Sequence, residues 1–111
     1  MFKYKSICIK VIDGDTIDAF VDLGFNVWIE KRIRLFGIDT PETRTKDLLE
    51  KQKGIAAKDF LKEALKNNNY EFILVSHGVG KYGRCLGELF VDDISINQLL
   101  LKEGHATKYD K

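Results

Sequence analysis

The sequence has little that would break or staple a chain. It holds one proline, Pro41, and no serine- or glycine-rich run, so no linker divides its 111 residues. Its two cysteines, Cys8 and Cys85, lie far apart and form no CxxC, which reads as two reduced core thiols rather than a disulfide framework. With only His77 and His105 to join them, and neither clustered, no zinc site is expected. No apolar run approaches the roughly 20 residues that span a bilayer. The first ten residues lack the apolar core and cleavage site of a secretory leader, so the expected location is cytoplasmic. An excess of one charge is also lacking. Lys plus Arg is 18 and Asp plus Glu is 17, which leaves 18 − 17 = +1. That balance excludes a polybasic tail, although a phosphate-binding surface needs only local positive charge.

What is present suffices for one core. Apolar residues make up 44% of the chain, and its length suits a single domain spanning residues 1–111. The first third has a period of two. Ile7, Ile9 and Val11 alternate with Cys8 and Lys10; Ile17, Ala19, Val21 and Leu23 alternate with Thr16, Asp18 and Asp22. Val27, Ile29, Ile33 and Leu35 share a parity broken only by Lys31. This predicts three half-buried antiparallel strands, with Asp13-Gly14 and Gly24-Phe25-Asn26 as the turns. From about Gly54 to Lys66 the period becomes helical, with Ala56, Phe60 and Ala64 beside Ala57, Leu61 and Leu65. Asn67-Asn68-Asn69 ends that helix. Tyr70–Ser76 reads as a strand, 77–83 as a glycine-rich loop and Cys85–Val91 as a strand. Ser95 and Gln98 fit a capping box before a short helix that Gly104 stops. The order β-β-β-α-β-β-α is that of an OB-fold, a five-stranded Greek-key β-barrel with helices, in the α+β class.

Four segments hold polar residues that a core does not require: Asp13-Gly14-Asp15-Thr16, Arg34, Asp39-Thr40-Pro41-Glu42 and Lys81-Tyr82-Gly83-Arg84. Each alone fits a plain turn, loop or solvated charge. Together they say more. Asp15 has the parity of Ile17, Ala19 and Val21, which aims a carboxylate toward the barrel interior, a costly position unless it is paired or binds a cation. Asp39 ends the apolar run after Ile33. Two aspartates with carbonyl oxygens suit a hard divalent ion. Glu42 lies three residues on, within reach of a water, and Arg34 and Arg84 supply planar forks for phosphate oxygens. That set suffices for phosphodiester hydrolysis, which rests mostly on positioning and charge stabilisation.

These motifs, in this order from about Ser6 to His105, resemble the staphylococcal nuclease (thermonuclease-like) family. The resemblance implies an OB-fold and one Ca²⁺ ion, held by the carboxylates of Asp15 and Asp39 and the carbonyl of Thr40. It implies that Glu42 orients or activates the attacking water. Arg34 and Arg84 would hold the phosphate and stabilise the transition state, and Lys81 and Tyr82 would contact the nucleotide phosphate. Asp13 is a secondary candidate, and Tyr109 is the one match for a tyrosine that stacks on the base. The implied activity is cleavage of DNA or RNA with little sequence specificity, leaving 5′-hydroxyl and 3′-phosphate ends. A non-catalytic nucleic-acid- or protein-binding module on the same fold is the alternative, and the presence of Asp15, Arg34, Asp39, Glu42 and Arg84 favours the enzyme. A monomer without an obligate protein partner or membrane association is expected. His77 reads as a loop residue and His105 as surface. Phe25, Trp28 and Phe36 read as barrel and hairpin packing. The cations Arg44, Lys46, Lys51, Lys53, Lys58, Lys62 and Lys66 read as a solvated helix face and loop. Against Asp47, Glu50, Asp59 and Glu63 they leave a local 7 − 4 = +3.

Overall fold

The computed structural model describes residues 2–109, and of Lys81 only the backbone. Five long strands make the body: β1 (Lys3–Asp13), β2 (Thr16–Asp22), β3 (Trp28–Leu35), β5 (Glu71–Val79) and β6 (Cys85–Val91). Two-residue strands β4 (Ile38–Asp39), β7 (Ile94–Ser95) and β8 (Thr107–Lys108) are added, with helices α1 (Leu48–Lys66) and α2 (Ile96–Lys102). Antiparallel pairing runs β3-β2-β1-β5-β6, and a parallel pairing of β3 with β6 closes the ring. This is the expected five-stranded OB-like barrel with two helices. Among the described residues no helix is long and apolar enough to cross a membrane.

The barrel interior is filled by alternate residues. Ile17, Ala19 and Val21 of β2 and Ile33 and Leu35 of β3 are buried, and meet Phe72, Leu74 and Leu89. Each fully buried Leu or Ile contributes about 1.5–3 kcal/mol relative to exposure. β1 departs from its simple alternation. Cys8 pairs with Ala19 and Lys10 with Asp18, so Ile9 is an extra residue, a β-bulge. The bulge turns Ile7 and Ile9 outward, buries Cys8, and restores Val11 to the interior.

Helix α1 starts six residues before the apolar stripe predicts. Asp47 is its N-cap, its carboxylate accepting from the N–H groups of Leu49 (3.0 Å) and Glu50 (3.3 Å). Leu48 and Leu49 are exposed, so the first turns carry no inward stripe to read. Further along, Ala57, Leu61 and Leu65 are buried at helical spacing. In α2 the Ser95 hydroxyl accepts from the Gln98 N–H (3.2 Å), and Gly104 follows the end with φ 79°. Asn97 is buried and acts as a clasp. Its Nδ2 donates to the carbonyls of Phe36 (3.0 Å) and Gly87 (3.1 Å), and its Oδ1 accepts from the Leu89 N–H (3.1 Å).

Three aromatic residues expected to pack do not. Phe25 is 99% exposed at the tip of the β2–β3 hairpin, and Trp28 and Phe36 are also exposed. The hairpin projects beyond the point where β6 meets β3, so its end has no second layer to cover it. Phe36 stacks on His77, with ring centres 4.2 Å apart. His77 belongs to β5, which runs three residues past the expected strand end, rather than to a loop.

Candidate active site

Asp15 occupies the tight turn between β1 and β2 and is 8% exposed, as its parity requires. A buried carboxylate must be fully satisfied. Its Oδ1 accepts from the Thr16 hydroxyl (3.0 Å), and its Oδ2 accepts from the Thr40 backbone N–H (3.1 Å). Arg34 Nη1 lies 3.1 Å from the same Oδ2. The carbonyl of Asp15 also accepts from the Leu35 N–H (2.8 Å). One residue thus ties the turn to β3 and to the segment after β4.

Arg34 stands opposite Thr16 across β2 and β3. Its guanidinium bridges two carboxylates, since Nη2 is 3.3 Å from Asp39 Oδ1. The Arg34 side chain is 15% exposed and that of Asp39 55%, so one carboxylate is buried and the other open to solvent. Strand β8 pairs with β4, opposing Thr107 to Asp39 and Lys108 to Ile38. This carries Tyr109 back over the site, where Arg34 Cζ lies 5.6 Å from the tyrosine ring centre. Such an arrangement is a cation–π contact. The Tyr109 N–H donates to the Gly37 carbonyl (2.9 Å), fixing that return.

Glu42 is exposed where two clefts meet. One, about 530 Å³, is lined by Asp39, Thr40, Glu42, Lys53 and Thr107 among others. The second, about 770 Å³, is lined by Asp13, Thr16, Glu42, Arg44, Tyr82 and Arg84 among others. Asp13 accepts a hydrogen bond from the Thr43 hydroxyl, which ties the end of β1 to the Glu42 segment. Arg84 Cζ lies 5.9 Å from the Tyr82 ring centre. Tyr82 is exposed and has φ 63°, a left-handed conformation that is strained for an aromatic residue. The Lys81 side chain lies outside the described residues.

The structure therefore gathers Asp15, Arg34, Asp39, Thr40 and Tyr109 into one contacting group. Glu42, Asp13, Tyr82 and Arg84 line the adjoining space. Sequence reasoning missed Gly54, which makes this possible. A Cβ there would meet the carbonyl oxygens of Glu42 at 2.5 Å and Pro41 at 2.7 Å, so only glycine lets α1 seat the Glu42 segment so closely. The apolar stripe predicts a helix from about Gly54, and only the true start at Leu48 shows the glycine to lie inside the helix, where it signals a close approach.

The atoms of Asp15, Asp39 and Thr40 that could ligate a cation are all oxygens, which suits Ca²⁺ or Mg²⁺ better than a transition metal. The Thr40 hydroxyl oxygen is buried without a hydrogen-bond partner. Among the described residues, no three His, Cys, Asp or Glu side chains cluster, so any cation here would rest on two carboxylates completed by carbonyl, hydroxyl or water oxygens.

The family model for staphylococcal nuclease homologues matches residues 32–111. An uncharacterised protein of Methanocaldococcus jannaschii, MJ1439, is 33% identical over 96% of this chain and 59% of its own length. The thermonuclease of Staphylococcus intermedius is 37% identical over 87% of this chain and 55% of its own. The endonuclease YhcR of Bacillus subtilis is 32% identical over 96% of this chain, which covers 9% of that protein. The chain thus spans little more than half the length of the first two relatives. A barrel of the expected topology, a family model covering most of the chain and relatives at about a third identity agree: the chain belongs to the staphylococcal nuclease family.

Proposed function

We propose that this domain hydrolyses phosphodiester bonds of DNA or RNA with little sequence preference, in a reaction that requires Ca²⁺. The observation that carries the reading is the placing of Glu42. It lies between the cleft lined by Arg84 and Tyr82 and the cleft lined by Asp39 and Thr40. A phosphate set between these groups would meet a guanidinium on one side and a carboxylate able to take a proton on the other.

The carboxylates of Asp15 and Asp39, with the Thr40 carbonyl, would hold the ion, and the unpartnered Thr40 hydroxyl fits an oxygen-rich site. When bound, Ca²⁺ supplies Lewis acidity and neutralises charge on phosphate oxygens. Arg34 already compensates both carboxylates, with contacts at 3.1 and 3.3 Å. It is thereby held rigidly at the site, where it can also donate to a phosphate oxygen. Arg84 donates from the opposite wall, and Tyr82 and Tyr109 flank the nucleotide. Glu42 accepts a proton from water as the water oxygen attacks phosphorus. The bond from phosphorus to the 5′ oxygen breaks, and that oxygen leaves with the electron pair and takes up a proton. The products are a 5′-hydroxyl and a 3′-phosphate.

The test is plasmid and single-strand cleavage with Ca²⁺ and with a chelator, for the parent and for Glu42→Gln. The parent should cut only with the ion. The glutamine variant should keep its affinity for a nucleotide bisphosphate, while its rate falls by roughly 10²–10⁴-fold, the usual share of a positioned base. A glutamine variant that cuts like the parent removes Glu42 from the chemistry, and a parent that binds but never cuts removes the nuclease.

A further inference from the structure

The cleft that holds Arg84 and Tyr82 does not end at the reactive groups. Lys10, on its wall, also lines a third cleft of about 440 Å³ between β1 and α1. The other walls of that third cleft are Cys8, Ile9, Val11, Lys58, Lys62 and Tyr70. Its charged residues are Lys10, Lys58 and Lys62, with no carboxylate among them. Asp59 and Glu63 follow these lysines by one position each on α1, about 100° round the helix, and do not line it. Burial pushes the Cys8 thiol up to about 11, so this wall adds no negative charge at neutral pH. Because the whole chain is only +1, three positive charges here leave 1 − 3 = −2 for the rest. This is a local positive field on a molecule otherwise slightly acidic, the condition under which charge placement steers a polyanion.

We infer that Lys10, Lys58 and Lys62 form a track for the sugar–phosphate backbone of a single polynucleotide strand, continuing it away from the reactive cleft along the groove between β1 and α1. The inference rests on the nucleic-acid reading above and deepens it. The bulge at Ile9 shapes the groove. It inserts one residue beside Lys10, and Lys10 pairs with Asp18 on the outward face while both clefts open beside it. Asp18 faces both Lys10 and the Arg32 guanidinium, the latter at 2.8 Å, so one carboxylate sits against two cations and the group keeps a net positive charge. Lys58 and Lys62 stand four residues apart on one face of α1, about 6 Å along its axis, a spacing that successive phosphates of one strand can match. Four of the seven cations from Arg44 to Lys66 thus divide by place. Arg44 lines the reactive cleft, Lys53 faces the Asp39 side, and Lys58 with Lys62 make the extension.

The test compares two probes on the intact chain: a thymidine dinucleotide and an oligothymidylate of about twelve nucleotides, within the site size of one such barrel. Affinities are read by fluorescence anisotropy over a salt series. Lys58→Ala with Lys62→Ala should weaken binding of the long strand about tenfold or more at low salt. It should lower the slope of log K against log salt by about 1.4, two contacts at about 0.7 each. Dinucleotide affinity should not change. A charge-matched control, Lys5→Ala with Lys102→Ala, should leave both probes unaffected. A double variant that binds the long strand with the parent's affinity and slope overturns the track, and so does an equal loss in the control. Loss of slope in the double variant, beside a parent that binds but does not cut, would keep the track and defeat the nuclease. Cutting with an unchanged slope would do the reverse.

Discussion

Arg34 answers two problems with one side chain. Asp15 is buried and would otherwise carry an uncompensated charge, which costs several kcal/mol. Asp39 is open to solvent and gains little from pairing alone. One planar guanidinium spans both, which a lysine cannot do with the same geometry. Cys8 is the other residue whose surroundings set its chemistry. Burial first, then the negative field of Asp18, holds its thiol proton to about pH 11, against a hydrogen bond that acts the other way. The unfolded thiol ionises near 9, so between these values the folded chain keeps a proton that the unfolded chain releases. Stability from this group is whole below pH 9 and falls as pH rises toward 11, by about 2–3 kcal/mol at the end of that window. Urea unfolding followed by circular dichroism at pH 8 and pH 10.5 should show the parent losing more stability than Cys8→Ala. Equal losses would mean that the thiol ionises freely in the fold.

At the scale of elements, the seating of α1 decides where Glu42 stands. Alanine is a better helix residue than glycine by about 1 kcal/mol, so an exposed glycine-to-alanine change in a helix stabilises. At Gly54 the opposite is expected, because the added methyl meets two backbone carbonyls that cannot swing aside. Gly54→Ala should lower stability, and lower kcat more than it raises KM, since it displaces Glu42 rather than the groups that grip phosphate. Raised stability with unchanged kcat would mean that the Glu42 segment adjusts freely.

This contact also marks how far the sequence could be read. The inward aim of Asp15 follows from a period of two shared with Ile17, Ala19 and Val21, and period survives wherever a strand has one buried face. The bulge at Ile9 left no such mark, because one inserted residue changes pairing without changing composition. The first turns of α1 were illegible because Leu48 and Leu49 face solvent. Tyr109 reaches Arg34 through a two-residue pairing of β4 with β8, made of backbone hydrogen bonds that no side-chain pattern announces. The exposed Phe25, Trp28 and Phe36 read as barrel and hairpin packing because an apolar residue in or beside a strand shows its preference for burial, not whether a second layer is there to provide it.

At the scale of the molecule, the ring of strands is unequal. β2 and β3 pair over seven positions, from Thr16 with Arg34 to Asp22 with Trp28. The parallel closure of β3 on β6 has three: Ile33 with Cys85, Arg34 with Leu86 and Leu35 with Gly87. Arg34 stands on one bank of that short seam, and Arg84 immediately precedes the other. The separation of the two guanidinium groups therefore depends on the shortest pairing in the ring, which is expected to open before the rest. Native-state hydrogen exchange should show it. The Phe36 amide, bonded to the Gly87 carbonyl at 2.8 Å, should exchange through a partial opening well below the free energy of global unfolding. A nucleotide bisphosphate gripped from both banks should slow that exchange, and Asn97→Ala, which removes the clasp on Phe36 and Gly87, should hasten it. If Phe36 exchanges only when the whole chain unfolds, the seam is no weaker than the rest. If it opens first, the reactive spacing is a fluctuating quantity that substrate itself narrows, and the grip on phosphate is also what shuts the barrel.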